Sequence, residues 1–475
     1  LKFIGIELRS LSPVLVAAGL ALLSACGGGS SSSGSVGAPP PPATLRLLPA
    51  SGDIKVGGAL QVWAEDAQGH AVQASFSVVE AQGGTVDAAG RYQAPATAGT
   101  YHLRATSSQA PGAVAEAAVK VSVYQVALAP APSSQVSRLD HTASLLPDGS
   151  VLLAGGVESS QLERYLPSSG SFAPAGDLGT RRWAHQASAL PGGGVLLTGG
   201  IGVTGNVSAV QSTAQIYEPG TGARPAGAMT ATRMLHAAAE LADGRVLLTG
   251  GLPVTGSDIY ATATAEIFNP ATGGFTASGS MGTPRTGHTA TRLPDGKILI
   301  AGGRDSSCAI YCPLRIWASA ELYDPATGTF TSTGRLTQAR YGHTATALPD
   351  GRVLITGGTT PDLPDTDMSS SVEIYDPATG TFAGAGTLLR PRSHHTATLL
   401  TDGRILLAHG RTTGESSMAS ATLEVFDPLL SKSVLLVSNL TTRYSHTATR
   451  LLSGDVLLAG GTEGGGGINL TELFR

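Results

Sequence analysis

A unit of about 50 residues, repeated seven times, constrains this chain more than anything in its composition. Its clearest copy runs from Arg285 to Phe330. The copy opens Arg285-Thr286-Gly287-His288, passes through Pro294-Asp295-Gly296, continues as Lys297-Ile298-Leu299-Ile300-Ala301-Gly302-Gly303, and closes on Glu321-Leu322-Tyr323-Asp324-Pro325-Ala326-Thr327-Gly328. Asp-Gly between two apolar runs predicts a hairpin with a type I′ turn, which needs positive φ at both central residues. Pro-Ala-Thr-Gly predicts a second turn, so each unit supplies three strands and the start of a fourth.

The Arg-x-x-His head recurs at Arg138/His141, Arg182/His185, Arg233/His236, Arg285/His288, Arg340/His343, Arg392/His395 and Arg443/His446. A double glycine follows in six units, and the sixth unit carries His409-Gly410 instead. Four strands per unit at this period predict the blades of a β-propeller. The head, the double glycine and the Glu-x-Tyr-Asp-Pro strand resemble kelch repeats, particularly those of bacterial proteins and of the galactose oxidase central domain. The expected fold is all-β: a seven-bladed kelch-type propeller over 124–475, preceded by a small immunoglobulin-like β-sandwich over 43–123. The last unit stops at the third strand, so the stretch 124–128 is expected to complete the last blade and close the ring.

Residues 1–26 read as an export signal: Lys2 and Arg9 precede an apolar stretch too short for a convincing spanning helix. Leu23-Ser24-Ala25-Cys26 resembles the lipobox of bacterial lipoproteins, which implies a lipid on Cys26 and anchorage to a membrane. Gly27 after that cysteine implies, for a Gram-negative cell, the outer membrane of the envelope. Residues 27–42 form a Gly/Ser/Pro-rich linker suited to a tether. In 43–123, alternating runs at 44–48, 60–65, 74–80, 101–105 and 113–123 predict strands, with Trp63 as core aromatic and Tyr101 as corner tyrosine. The run Gly90-Arg91-Tyr92-Gln93-Ala94-Pro95 resembles bacterial immunoglobulin-like domains. A net charge of −4 gives no basic footprint for nucleic acid. Three cysteines are too few for a disulfide scaffold. A monomer is expected.

Antiparallel order puts the Arg-bearing heads and the variable loops after the double glycines on one face, where recognition is usually placed. A ring of arginines invites an anion site, but each unit also offers Glu163, Gln215, Glu266, Glu321, Glu373, Glu424 or Glu472 on its third strand. Buried carboxylates need partners, so the fourteen Arg and His heads are read as structural. Cys308 and Cys312 are expected to form a local disulfide in the longest variable loop, with a metal pair as the alternative. Tyr311 and Trp317 in that loop are candidates for stacking on a sugar. Asp362, Asp365 and Asp367 could ligate calcium but read better as a solvated acidic loop. His394, doubled beside His395, and His409, in place of a glycine, break the repeat and are the remaining candidate ligand-binding residues.

No catalytic residue, metal or cofactor follows from these patterns. The leading expectation is a surface-anchored, non-enzymatic binding or scaffold protein recognising a protein or glycan through the variable-loop face. The alternative is an enzyme: a galactose-oxidase-like copper oxidase, whose family uses tyrosine and histidine ligands, or a kelch-type sugar isomerase.

Overall fold

In each unit the run after the Asp-Gly turn is apolar at every position, as in Val151–Ala154, Ile298–Ala301 and Val456–Ala459, and every residue of these runs is buried. A strand with no polar face must be covered on both sides. Here the cover is the neighbouring blade on either side. The computed structural model describes residues 45–475 except 56–58, 96, 109–111, 123–127, 206, 254–259, 306–314, 362–367, 413–418 and 437–440. The readings on Cys26, on the 27–42 linker, on Cys308, Tyr311 and Cys312, and on the three aspartates at 362, 365 and 367 lie outside the described residues.

Seven four-stranded antiparallel sheets are present among the described residues. Blades 1 to 6 are continuous in sequence; blade 4, for example, is Thr289–Arg292, Ile298–Ala301, Ala320–Asp324 and Thr329–Ser332. Blade 7 takes Thr447–Arg450, Val456–Ala459 and Thr471–Phe474 from the end of the chain and Leu128–Ala131 from before blade 1. The closing strand thus begins where the stretch 124–128 was expected to end. The seven innermost strands form an unbroken circle, each lying against the next and Thr447–Arg450 against Thr142–Leu145. Apolar clusters fill all seven junctions. Between blades 3 and 4, for instance, Leu247 and Ile267 meet Met281, Ile298, Ile300 and Tyr323, and between blades 7 and 1 Leu457 and Leu473 meet Val151 and Tyr165.

Three local expectations are corrected. The Asp-Gly turns are not type I′, because only the glycine has positive φ, as at Gly149 (81°). Leu146 N–H donates to Ser150 O and Gly149 N–H to Leu146 O, a three-residue loop ending in a left-handed glycine. Pro147 at the first loop position fixes a negative φ and excludes the mirror-image turn. Second, the loop after Gly199-Gly200 is no irregular loop: Ile201–Thr204 and Val207–Val210 form a hairpin that pairs with Arg181–Trp183.

The third correction concerns residues 45–122, where three small sheets enclose one core containing Leu47, Val62, Tyr92, Leu103 and Val119. Trp63 does not fill that core. It is 45% exposed while Tyr92 is fully buried. Strand alternation explains the swap: Val62 and Ala64 face inward, so Trp63 must face out, where its indole N–H donates to Glu65. Tyr101 Oη donates to Thr97 O, four residues upstream. Among the described residues, no helix is long and apolar enough to cross a membrane.

Candidate functional site at the channel mouth

The repeated arginines are consumed by the scaffold. Arg138 donates to Glu163 on the third strand of its own blade (2.8 Å), to Gly155 O (2.6 Å) and to Gln161 O (2.8 Å). Arg233, Arg285, Arg340, Arg392 and Arg443 make the equivalent ion pairs with Glu266, Glu321, Glu373, Glu424 and Glu472. The same carboxylates accept backbone N–H groups of the incoming linker, as Glu266 does from Thr230 and Glu321 from Gly282. Each pair therefore staples a linker to the blade it enters. Blade 2 differs, because Gln215 stands where the others have glutamate; Arg182 has no carboxylate partner among the described residues, and burial lowers its pKa to about 10.

The repeated histidines form a second closed ring, one step further along the head. Each Nε2 meets a threonine of the preceding blade at 2.8–3.2 Å: His185 on Thr142, His236 on Thr198, His288 on Thr249, His343 on Thr289, His395 on Thr344 and Thr356, His446 on Thr396, and His141 on Thr447. Burial holds these rings neutral; His141, His185, His236, His288 and His343 are lowered to about 3. The double glycine now has a reason. A Cβ on Gly302 would sit 2.7 Å from His343 Cε1 of the next blade, and one on Gly250 would sit 2.8 Å from His288 Cε1.

His409 occupies that glycine position in blade 6 and is not on an open surface. It is fully buried, lies edge-on to His446 with ring centroids 5.1 Å apart, and its Nδ1 is 3.2 Å from Ser420 O. A carbonyl only accepts, so Nδ1 carries the proton. Trp317 is likewise tied into the scaffold, its indole N–H donating to Pro284 O.

Between each Arg and His lies a residue in the left-handed region: Asp140, Ala184, Leu235, Gly287, Gly342, His394 and Ser445, with φ of 51–62°. These seven positions form the rim of the channel. At six of the seven junctions the rim residue's N–H donates to the carbonyl of the preceding rim residue, at 2.9–3.4 Å. The rim is thus fixed by backbone alone and its side chains are free to vary. Two of them are titratable, Asp140 and His394, and Ser445 stands between them. Ser445 hydrogen-bonds the Asp140 carboxylate, and burial raises the Asp140 pKa above the usual aspartate value. On that side the rim opens on a cavity of about 380 Å³ lined by Asp140, Thr142, Ala184, Gln186 and Thr447.

His394 stands on the other side of Ser445. Its ring is exposed and lies over Gly342, whose added Cβ would come within 2.8 Å of His394 Cε1. It meets the buried Tyr341 ring edge-on at 6.2 Å, and the guanidinium carbon of Arg304 lies 4.5 Å from that ring's centroid. Crowding by protein atoms, then the charges of Arg411 and Arg304, push the His394 pKa down to about 4. Of the sequence candidates among the described residues, His394 reaches the mouth, whereas Trp317 and His409 are tied into the scaffold. Asp140, Tyr341, Arg304 and Arg411 were missed, although Asp140 occupies the same head position as His394.

No protein-family model matches the chain, and no curated protein matches it. Among solved structures it is similar to a fungal alcohol oxidase of the AA5 family in complex with copper, at 16% identity over 74% of this chain and 76% of that one, TM-score 0.59. It is also similar to YjhT, at 14% identity over 65% of this chain and 99% of that one, TM-score 0.51. At such identities the likeness establishes the propeller fold alone. The expectation of a non-enzymatic binding or scaffold protein is corrected here, since the solved propeller this chain resembles is that of a copper-bound alcohol oxidase.

A copper centre built from tyrosine and histidine does not fit the described residues. No rim position holds a tyrosine, and the seven repeat histidines have Nε2 against threonine hydroxyls. No group of three His, Cys, Asp or Glu side chains among the described residues could hold a metal ion.

Proposed function

We propose that the chain is a metal-independent sugar isomerase, moving protons at the anomeric carbon of a reducing sugar held at the channel mouth. The observation that carries this reading is the pair Asp140 and His394, on one rim with Ser445 between them and with protonation pushed in opposite directions. The raised Asp140 keeps its proton to higher pH, and the lowered His394 keeps a free lone pair. A carboxyl that donates and an imidazole that accepts are what opening a pyranose requires, and a raised Asp140 with a lowered His394 enlarges the fraction of molecules in that state. The imidazole takes the proton of the anomeric hydroxyl, the bond from C1 to the ring oxygen breaks, and the ring oxygen takes the proton of Asp140. The open-chain aldehyde then turns and closes by the reverse steps, which return both protons. The cavity of about 380 Å³ on the Asp140 side of the rim, lined by Asp140 and Thr142 and not by His394, falls in the volume range of small-ligand sites. The resemblance of the repeats to kelch proteins that act on sugars supports the substrate class.

Exchange between anomers is measurable by magnetisation-transfer NMR at pH 7 across a panel of reducing sugars. At least one sugar is expected to interconvert faster with the protein, and Asp140→Asn to lower that rate by about 10²–10⁴-fold at unchanged melting temperature. No acceleration of any sugar, or full activity in the variant, would sink the proposal.

A further inference from the structure

Every histidine of the inner ring meets a hydroxyl of the preceding blade, and blades 2 and 3 supply it from a different strand. In the other five blades it comes from the innermost strand, at Thr142, Thr289, Thr344, Thr396 and Thr447. Their cross-strand partners are alanines except in blade 5, where Thr356 pairs with Thr344 and both meet His395. Blade 2 has Gln186 on the innermost strand with Thr198 opposite, and Thr198 meets His236 at 2.9 Å. Blade 3 has Ala237 with Thr249 opposite, and Thr249 meets His288 at 2.8 Å. In these two blades the hydroxyl stands one strand further out, so the histidine ring asks nothing of the innermost side chain. Ala237 shows that a methyl group is sufficient there. Blade 2 nevertheless carries glutamine, the largest side chain at this position in any blade.

Gln186 is half-buried in the wall of the cavity that holds Asp140, and its amide has no hydrogen-bond partner among the described residues. A primary amide offers an acceptor and two donors without charge, which matches two neighbouring sugar hydroxyls, one donating and one accepting. The rest of the wall agrees with an uncharged ligand. No lysine or arginine lines it, and burial holds the imidazoles of His141 and His185 neutral. A carboxylate or phosphate there would lose water without gaining an opposite charge. Around the circle, the blade of Gln186 lies on the other side of Asp140 from His394, so Gln186 faces a part of the sugar other than its anomeric hydroxyl. We infer that Gln186 sets substrate specificity at the mouth, selecting an uncharged pyranose through two hydroxyls away from the anomeric carbon. This rests on the isomerase reading for the reaction, though not for the binding.

Calorimetric titration of the whole chain with D-glucose, D-galactose, D-mannose, D-glucuronate and D-glucose 6-phosphate tests it. At least one neutral hexose is expected to bind at least about tenfold more tightly than either anion. Gln186→Ala and Gln186→Thr should each weaken binding of that hexose by about tenfold, as the loss of two neutral hydrogen bonds implies. Both should keep the wild-type melting temperature, because other blades carry alanine or threonine at this position. No hexose binding, an anion binding as tightly as the best hexose, or unchanged affinity in both variants overturns the inference. A lower melting temperature in Gln186→Thr also overturns it, by assigning Gln186 to the scaffold. Anomer exchange measured on the same protein separates the two proposals. Hexose affinity that depends on Gln186, with no exchange in the wild type, leaves the recognition standing and removes the isomerase.

Discussion

His394 and His395 are neighbours in sequence and belong to two different regions of the molecule. His395 is one of seven rings inside the channel wall, buried and held on threonine hydroxyls at 2.9 and 3.2 Å. His394 is one of seven rim positions, exposed, with φ of 51° and its N–H donating to Gly342 O. The inner ring needs the same side chain in every blade because side chains make its contacts. The rim needs only a backbone conformation, so its side chains range from glycine to leucine to aspartate. Uniformity in this propeller therefore marks the scaffold, and variation on a uniform backbone marks where chemistry can be placed.

The largest test of that difference is acid. The inner histidines have folded-state pKa values far below the unfolded value of about 6.5. Between those limits the unfolded chain binds protons that the native ring does not. Their neutral burial therefore costs nothing above pH 6.5 and erodes stability as pH falls through the window toward 3. One unit below 6.5 each such histidine contributes a loss of about 1.4 kcal/mol, so the five held near 3 sum to roughly 7 kcal/mol. His395 and His446 act in the same direction. Urea denaturation followed by circular dichroism at pH 7.5, 6.5, 5.5 and 4.5 should show a steep fall below 6.5. A flat profile would mean that the inner ring accepts protons as readily as the rim and would break the comparison.

The arginine layer sharpens it within the scaffold. Arg233→Leu leaves Glu266 buried and uncompensated, an expected cost of about 3–5 kcal/mol. Arg182→Leu leaves no buried carboxylate behind, taking a donor only from the carbonyls of Gly199 and Thr213 and the Thr213 hydroxyl, so its cost should be smaller, about 1–3 kcal/mol. Equal losses in chemical denaturation would show that the ion pairs are not what distinguishes blade 2 from the rest.

The same contrast explains what could be read before the structure. Blade number and ring closure were legible because Arg, His, Gly-Gly and Glu recur at fixed spacing, and recurrence follows from contacts made by side chains. The rim was not legible. Its hydrogen bonds are backbone to backbone, and Asp140, Ala184, Leu235 and Ser445 share no chemistry that a sequence displays. His394 drew notice as a doubled histidine, while Asp140 at the equivalent position did not. His409 drew notice for the wrong reason: it breaks the pattern because its ring fills space beside His446, not because it faces a ligand. Asp-Gly was misread because each of these loops has three residues, as in Pro147-Asp148-Gly149 and Ala242-Asp243-Gly244, and only the last needs positive φ, whereas the mirror-image turn that Asp-Gly favours has two. Trp63 was placed in the core by size, yet alternation with Val62 and Ala64 decides its side.

The smallest expected effect on stability is the one that separates scaffold from site most directly. A histidine at φ of 51° pays a backbone cost that glycine does not, about 1 kcal/mol, and blades 4 and 5 carry glycine at this rim position. Against that, His394 gains an edge-on contact with Tyr341 at 6.2 Å, on the order of 0.5–1.5 kcal/mol for aromatic pairs and less for a partly exposed imidazole. His394→Gly should therefore leave the melting temperature within about 3 °C of wild type, in either direction. If the ring is held at the mouth to accept a proton, anomer exchange should be lost in the same protein. Stability unchanged with activity gone assigns His394 to function. A large fall in melting temperature would assign it to the scaffold with the seven histidines below it.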